Sequence, residues 1–346
     1  MKKIYEVPSE RRYWVVRAEG GEYYDHFTRN GIIAIGHLNL LDLPNSTEQS
    51  PSLEQSKLEK DFKALSDSDP TLKSVGKLSQ AKSFLYQMKP GDWVITIGLG
   101  SVRFGWIIGN PFIEKEPLVV VYNEERDHVV KMDMHLRRRV QWGPAIFRRG
   151  LPYGLLISLK ANQTVFNLDA KWEAIYHTLY PAFLSENKLY LSAKIKTKQD
   201  IKNHNIATIF KLLDEVEVIG KTMAEGASCE DFDQTIKEYI KKDALTITTK
   251  AQFHSAGDIW NAITSGTLDF DLNNWVIYTV IAYSMIFGNH KAGFDGLIDI
   301  DTRKKFWDLV LSRIKKNHAE KVVETLQIEL PKIDTSKLED CTNDRE

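Results

Sequence analysis

Cysteine is nearly absent: Cys229 and Cys341 are the two thiols in a chain of 346 residues. Two cysteines make neither a disulfide framework nor a cysteine-rich zinc site, and their scarcity fits a reducing cytoplasm. Long apolar runs are missing too. The most apolar stretch, WVIYTVIAYSMIFG from Trp275 to Gly288, has fourteen residues, too few to span a bilayer and suited to a buried helix. The opening MKKIYEVPSERRYW has basic residues but no apolar core of a secretory leader. Net charge is also lacking, at −1 overall. Residues 1–180 carry 24 Lys and Arg against 21 Asp and Glu, and the remainder 22 against 26, so any basic feature is local. The expectation is a cytoplasmic protein without a membrane segment, long enough for two domains with cores of their own.

Familiar cofactor signatures are absent as well. There is no G-x-x-x-x-G-K-[ST] loop, and the histidines show neither H-E-x-x-H nor a partner C-x-x-C. Gly98-x-Gly100 is followed by a strand pattern rather than a helix, which does not support a dinucleotide fold. No cofactor and no metal site is expected.

What is present divides the chain in two. The first half is strand-rich. YWVVRA (13–18), IIAIG (32–36), WVITIGL (from Trp93), RFGWIIGNPF, LVVVYN and QTVFNLD are β-branched and aromatic. GEYYDHFTRNG predicts a short helix closed by Gly31, and the patterns at 53–65 and 78–88 predict two more. HVVKMDMHLRRRVQW predicts one long strand. From about Ile195 the apolar spacing turns to three and four residues, predicting helices throughout. Pro181 and the polar SENK suggest a boundary near 181–200. The expected organisation is a mixed domain over 1–185, a helical domain over 195–335 and a flexible tail over 336–346, an α+β protein with an all-α second domain.

Five arginines crowd the sixteen residues from His135 to Gly150: Arg137, Arg138, Arg139, Arg148 and Arg149. On a strand, Arg137 and Arg139 share one face while Arg138 shares the other with Val140 and Trp142. Arg148 and Arg149 follow an expected turn at Gly143-Pro144. Such a group can clamp phosphates bidentately, or its stems can cover apolar surface while the heads meet water or local acids.

Five segments in order carry a resemblance: YWVVRAEGGEYYDHFTRNGIIAIGH, SQAKSFLYQMKPGDWVIT, FGWIIGN, HLRRRVQW and FRRGLPYGLLISLKANQTVF. Together, over about residues 10–180, they resemble the PUA-like domain, related to EVE and YTH modules, that precedes the nuclease in Mrr-type restriction proteins. The resemblance implies a small curved sheet with flanking helices and a pocket for one nucleobase, flipped or modified, stacked on aromatic rings. The aromatic candidates are Trp14, Trp93, Trp106, Trp142 and Tyr86. Trp14, Trp106 and Trp142 are favoured as base-pocket residues, with Ser79 and Gln80 as polar readers. Arg17, Arg137, Arg139, Arg148 and Arg149 are the phosphate candidates. The family often has Trp after its "IG", where this chain has His37, so that wall of the pocket is expected to differ.

Mrr-type proteins also carry a D…(D/E)-x-K nuclease site whose carboxylates hold Mg²⁺. Asp169-x-Lys171 is a partial match without an evident upstream Asp. Asp295, Asp299 and Asp301 cluster in the second half, where Asp301 reads as a helix N-cap. Ser255 and Asp258 read as a capping box beside His254. The expected function is therefore recognition of nucleic acid, DNA with a modified base, in bacterial restriction or antiphage defence. The helical half would serve as an effector or as an interaction module, through a homodimer or a partner protein. A modification-dependent nuclease with an atypical catalytic half and a modified-RNA reader are the alternatives.

Overall fold

The structure, a computed structural model, describes residues 4–50, 53–68, 74–123, 128–226, 231–253, 257–264, 274–288 and 300–338. In chain order the first strands are β1 (Tyr5–Glu6), β2 (Tyr13–Val16), β3 (Ile32–Ile35), β4 (Trp93–Ile97), β5 (Ser101–Ile107), β6 (Phe112–Ile113), β7 (Leu118–Asn123) and β8 (His128–Met132). They are followed by β9 (Leu136–Phe147), β10 (Val165–Asn167), β11 (Ala182–Ser185), β12 (Lys188–Ile195), β13 (Thr248–Ala251), β14 (Gly257–Thr264) and β15 (Ile328–Glu329). The helices are α1 (Tyr24–Asn30), α2 (Gln55–Ser68), α3 (Ser74–Lys82), α4 (Tyr153–Ser158) and α5 (Trp172–Leu179), then α6 (Asn203–Ala224), α7 (Phe232–Lys241), α8 (Asn274–Phe287), α9 (Ile300–Lys316) and α10 (Ala319–Leu326). The chain forms two compact units. One comprises Glu10–Ala174 with the chain end from Asp334, the other Met1–Ser9 with Ile175–Ile333.

The unit built on Glu10–Ala174 holds a curled sheet of order β10-β2-β4-β5-β9-β3, with β6 also on β9. Only β2 and β4 run parallel; the other pairs are antiparallel. Its core gathers Trp14, Val16, Phe27, Phe84, Val94, Val140 and Trp142. Gly105 is required where the sheet is tightest: a Cβ there would lie 2.6 Å from both Trp142 and Val140. The helix α1 ends as expected at Gly31, whose φ of 61° is the left-handed cap that glycine adopts freely.

Two expectations about β9 are corrected. The long strand predicted from His128 to Trp142 is broken at 133–135, where the Arg137 guanidinium turns back onto the Met134 carbonyl. The turn expected at Gly143-Pro144 is instead a bulge. Arg103 pairs with Ala145 and Gly105 with Trp142, so β9 spends one extra residue and runs on to Phe147. A proline without an N–H is tolerated in a bulge, and the kink re-aims the residues from Ala145 to Phe147. Of the tail expected over 336–346, only 336–338 lie within the described residues. Leu338 is buried and packs where a Gly143 side chain would stand.

The all-α expectation for the second half is corrected as well. Its unit contains a sheet of order β1-β11-β12-β14-β13, with β15 on β12. The helices α6, α8, α9 and α10 share one hydrophobic core with the alternate residues Leu189, Leu191, Ala193 and Ile195 of β12. The capping box expected at Ser255 and Asp258 is not formed, because Asp258 lies on β14; Ser255 and His254 lie outside the described residues. Asp301 lies within α9, which is already helical at Ile300, and so does not cap it. Cys229, Cys341, Asp295 and Asp299 also lie outside the described residues. The apolar segment forms α8, and among the described residues no helix is long and apolar enough to cross a membrane.

Candidate nucleic-acid interface

The five arginines of the basic stretch have separate fates. Arg138 points into the core with Val140 and Trp142, as alternation requires. It is 1% exposed and donates from all three nitrogens to carbonyls: Nε to Phe84 at 2.8 Å, Nη1 to Gly109 at 3.1 Å, and Nη2 to Leu85 at 3.1 Å and Met88 at 2.9 Å. Three of those carbonyls end the π-helical turn Ser83–Gln87 that follows α3. Burial lowers its pKa to about 10.

Arg137 is corrected as a phosphate candidate. It is buried, and its donors go to the carbonyls of Met134 and Glu116. Arg139 is exposed but ion-paired with Glu48, beside a groove of about 570 Å³ lined by Thr47, Glu48, Gln49, Pro90 and Asn110. Arg148 is half-buried and Arg149 exposed, in the turn after β9. Arg17 comes near them. Its Nη2 donates to the Leu159 carbonyl, its Nε is buried without a partner, and burial together with Arg148 lowers its pKa.

The aromatic candidates do not wall one pocket. Trp14 is 1% exposed, with Nε1 donating to Asp92 at 3.0 Å; Trp142 is buried, with Nε1 donating to the Phe27 carbonyl at 3.0 Å. Both are core residues with their polar edges spent, which corrects their assignment as pocket walls. Trp106 is half-buried and pairs across the sheet with Trp93. That register places it on the face opposite Trp14, so the two indoles cannot enclose one base. Tyr86 donates to the Leu53 carbonyl at 2.9 Å.

Ser79 is exposed on α3. Gln80 accepts at 2.8 Å from the N–H of Val165. Arg17 donates to the Thr164 carbonyl, and Leu168 to that of Tyr13. In that register the Val165 N–H points off the free edge of β10, where a side chain must satisfy it. His37 lies beside Gln80. Its Nε2 is buried without a partner, and its pKa is lowered by burial and by Lys77 against an opposing contribution from Gln80. Asp169, the partial nuclease match, accepts from the Tyr13 N–H at 2.8 Å and from Arg12 Nε at 3.2 Å. It ties a strand start to a turn. Among the described residues no three His, Cys, Asp or Glu side chains gather as a metal site.

The arginines that remain available converge on one end of the sheet, around the hairpin joining β4 to β5. Ser101 pairs with Phe147, and the Arg148 N–H bonds the Gly100 carbonyl. Phe147 is 72% exposed, with the Arg149 guanidinium 5.9 Å from its ring centroid; Leu99 and Tyr153 are exposed nearby in sequence. Arg103, two residues along β5 from Ser101, was not singled out in the sequence because it stands alone there. Among the described residues, Arg17, Arg103, Arg148 and Arg149 make no ion pair, whereas Arg12, Arg29, Arg139 and Arg313 each have a carboxylate. Unpaired guanidiniums beside an exposed ring suit phosphate and a stacked base.

No protein-family model, no curated protein and no solved structure matches the chain.

Proposed function

We propose that the unit built on Glu10–Ala174 is a nucleic-acid-reading module of PUA-like type, acting on DNA with a modified base. The observation that carries this reading is the group of unpaired guanidiniums, Arg17, Arg103, Arg148 and Arg149, with exposed Phe147 at one end of a curled sheet. Arg139, by contrast, is neutralised locally by Glu48. The five segments resembling the domain of Mrr-type proteins supply the rest: the modified base, and a place in restriction or antiphage defence. The second unit then passes the binding event to a partner protein or a second copy of the chain. Of the polar readers expected from the sequence, Gln80 has its amide engaged by Val165 and Gly76, and His37 beside it, whose Nε2 has no partner, takes that role.

The test is a competition series on the full chain, followed by fluorescence anisotropy. Labelled duplex and single-stranded DNA, each with and without modified bases, are displaced by matched RNA. The reading expects measurable binding and at least a several-fold preference for a modified DNA. Equal or tighter binding of modified RNA makes the protein an RNA reader instead. An absence of nucleic-acid binding at low salt overturns the reading.

A further inference from the structure

The register of the curled sheet places five residues in one row on the core-side face. Val165 pairs with Val16; the parallel register of β2 and β4 sets Val16 beside Thr96; Thr96 pairs with Arg103, and Arg103 with Ala145. The row opens steadily: Val165, Val16 and Thr96 are buried, Arg103 is half-buried, and Ala145 is exposed. The residues next along the same face at the open end are Ser101 and Phe147, which pair with each other. The Gly143-Pro144 bulge is what puts Ala145 and Phe147 on this face, since it shifts β9 by one residue beyond Trp142.

Two polar groups of this row have no protein partner. The Thr96 side chain is fully buried and its hydroxyl makes no hydrogen bond; the Arg103 Nε is buried and makes none either. Arg103 also lacks an ion pair among the described residues. Buried polar groups are nearly always satisfied, so a fully buried hydroxyl and a guanidinium left open across one strand pair call for a missing partner. The neighbours narrow its chemistry. A guanidinium calls for an oxyanion, matched best by the two oxygens of a phosphate. Ala145 leaves the space beside it open. The exposed Phe147 ring offers a flat apolar surface two residues away on the same face, with the positive charge of Arg149 over the ring at 5.9 Å from its centroid.

We infer that Arg103, Thr96 and Phe147 form a subsite for a single nucleotide, in which Arg103 holds the phosphate and Phe147 stacks the base. The inference rests on the nucleic-acid reading above and adds to it residues that the sequence did not distinguish. In the occupied site the terminal nitrogens of Arg103 face the phosphate oxygens, and its Nε turns to the Thr96 hydroxyl, which satisfies both orphaned groups at once. Thr96 is thus a positioning residue. The shared chemistry is that of a phosphate ester, supplied by a free nucleotide or by an unpaired nucleotide of a strand.

The experiment is calorimetric titration of the full chain with three probes: inorganic phosphate, a deoxynucleoside 5′-monophosphate, and a short single-stranded oligodeoxynucleotide. Arg103→Gln is expected to weaken the monophosphate and the oligonucleotide at least tenfold, and Arg103→Lys to restore part of the loss. Phe147→Ala is expected to weaken both by roughly five- to 150-fold, the range found for removing one stacking ring, with phosphate unaffected. Thr96→Val is the control for a merely structural role. Removing an unsatisfied buried hydroxyl leaves the melting temperature unchanged or higher, yet monophosphate affinity is expected to fall several-fold. Monophosphate binding equal to the parent in Arg103→Gln and Phe147→Ala overturns the subsite; if the oligonucleotide still binds the parent, the nucleic-acid reading stands without it. Monophosphate binding that depends on both residues, with no oligonucleotide binding, supports the subsite and overturns the nucleic-acid reading.

Discussion

At the scale of the residue, adjacent arginines answer to different demands. Arg138 satisfies four carbonyls through buried hydrogen bonds. Replacing it by Met leaves them unpaired in the core, and hydrogen bonds to charged groups contribute about 1.5–3 kcal/mol each. Arg138→Met is expected to lose at least ~3 kcal/mol in urea unfolding, whereas Arg149→Gln, an exposed change, stays within about 0.5 kcal/mol. Equal stabilities would mean that the carbonyls have other donors.

Charge at an exposed pair behaves differently. Hydrogen bonds from Lys316, then Arg313, hold the Asp233 carboxyl at about 2. A depressed carboxylate stabilises the fold above its unfolded value of 3.8 and loses that contribution as pH falls through 2. Since Asp233 is 46% exposed, the effect is about 1 kcal/mol or less. Asp233→Asn is expected to be less stable at pH 6, with the difference from the parent closing between pH 4 and pH 2; a constant difference would point to packing instead. At this scale the sequence was only half legible. Alternation sorted Arg138 from Arg139, but the burial of Arg137 follows from strand pairing on both sides of β9. The lone Arg103 gave no signal until the register set it beside Thr96.

At the scale of the element, helical periodicity was legible where one face alone is buried, as in α7 and α10. The strand β14 was hidden by its own chemistry. Ile259 and Ile263 alternate inward with Asn261 between them, so a polar residue in the core row leaves apolar positions four apart, the spacing of a helix. The crossing of α6 and α8 depends on a single missing side chain. A Cβ on Gly220 would stand 1.8 Å from Thr279 Oγ1 and 3.0 Å from the Trp275 carbonyl, to which that hydroxyl donates. Although alanine favours helix by about 1 kcal/mol over glycine, Gly220→Ala is expected to be net destabilising by roughly 1–3 kcal/mol through overpacking. A melting temperature at or above the parent's would show that the helices can part without penalty.

At the scale of the whole molecule, strand pairing decides where the chain can be cut. A fragment of residues 1–185 would keep β11 but lose β12, its antiparallel partner, leaving Phe183 and Leu184 uncovered. Residues 10–174 contain every strand of the curled sheet. The shorter fragment is expected to be the more soluble and to unfold cooperatively, though weakened by about 2 kcal/mol for the lost burial of Leu338. If 1–185 folds and 10–174 does not, the division at Ala174 is wrong.

The central claim, that the unpaired arginines meet nucleic acid, is tested most directly by the salt dependence of duplex DNA binding. Each phosphate neutralised adds about 0.9 to the slope of log affinity against log salt. The variant Arg17→Gln, Arg148→Gln, Arg149→Gln is expected to lower that slope by about 2 to 3, with its melting temperature near the parent's. An unchanged slope in a folded variant would mean that these guanidiniums meet no phosphate, and the claim would be contradicted.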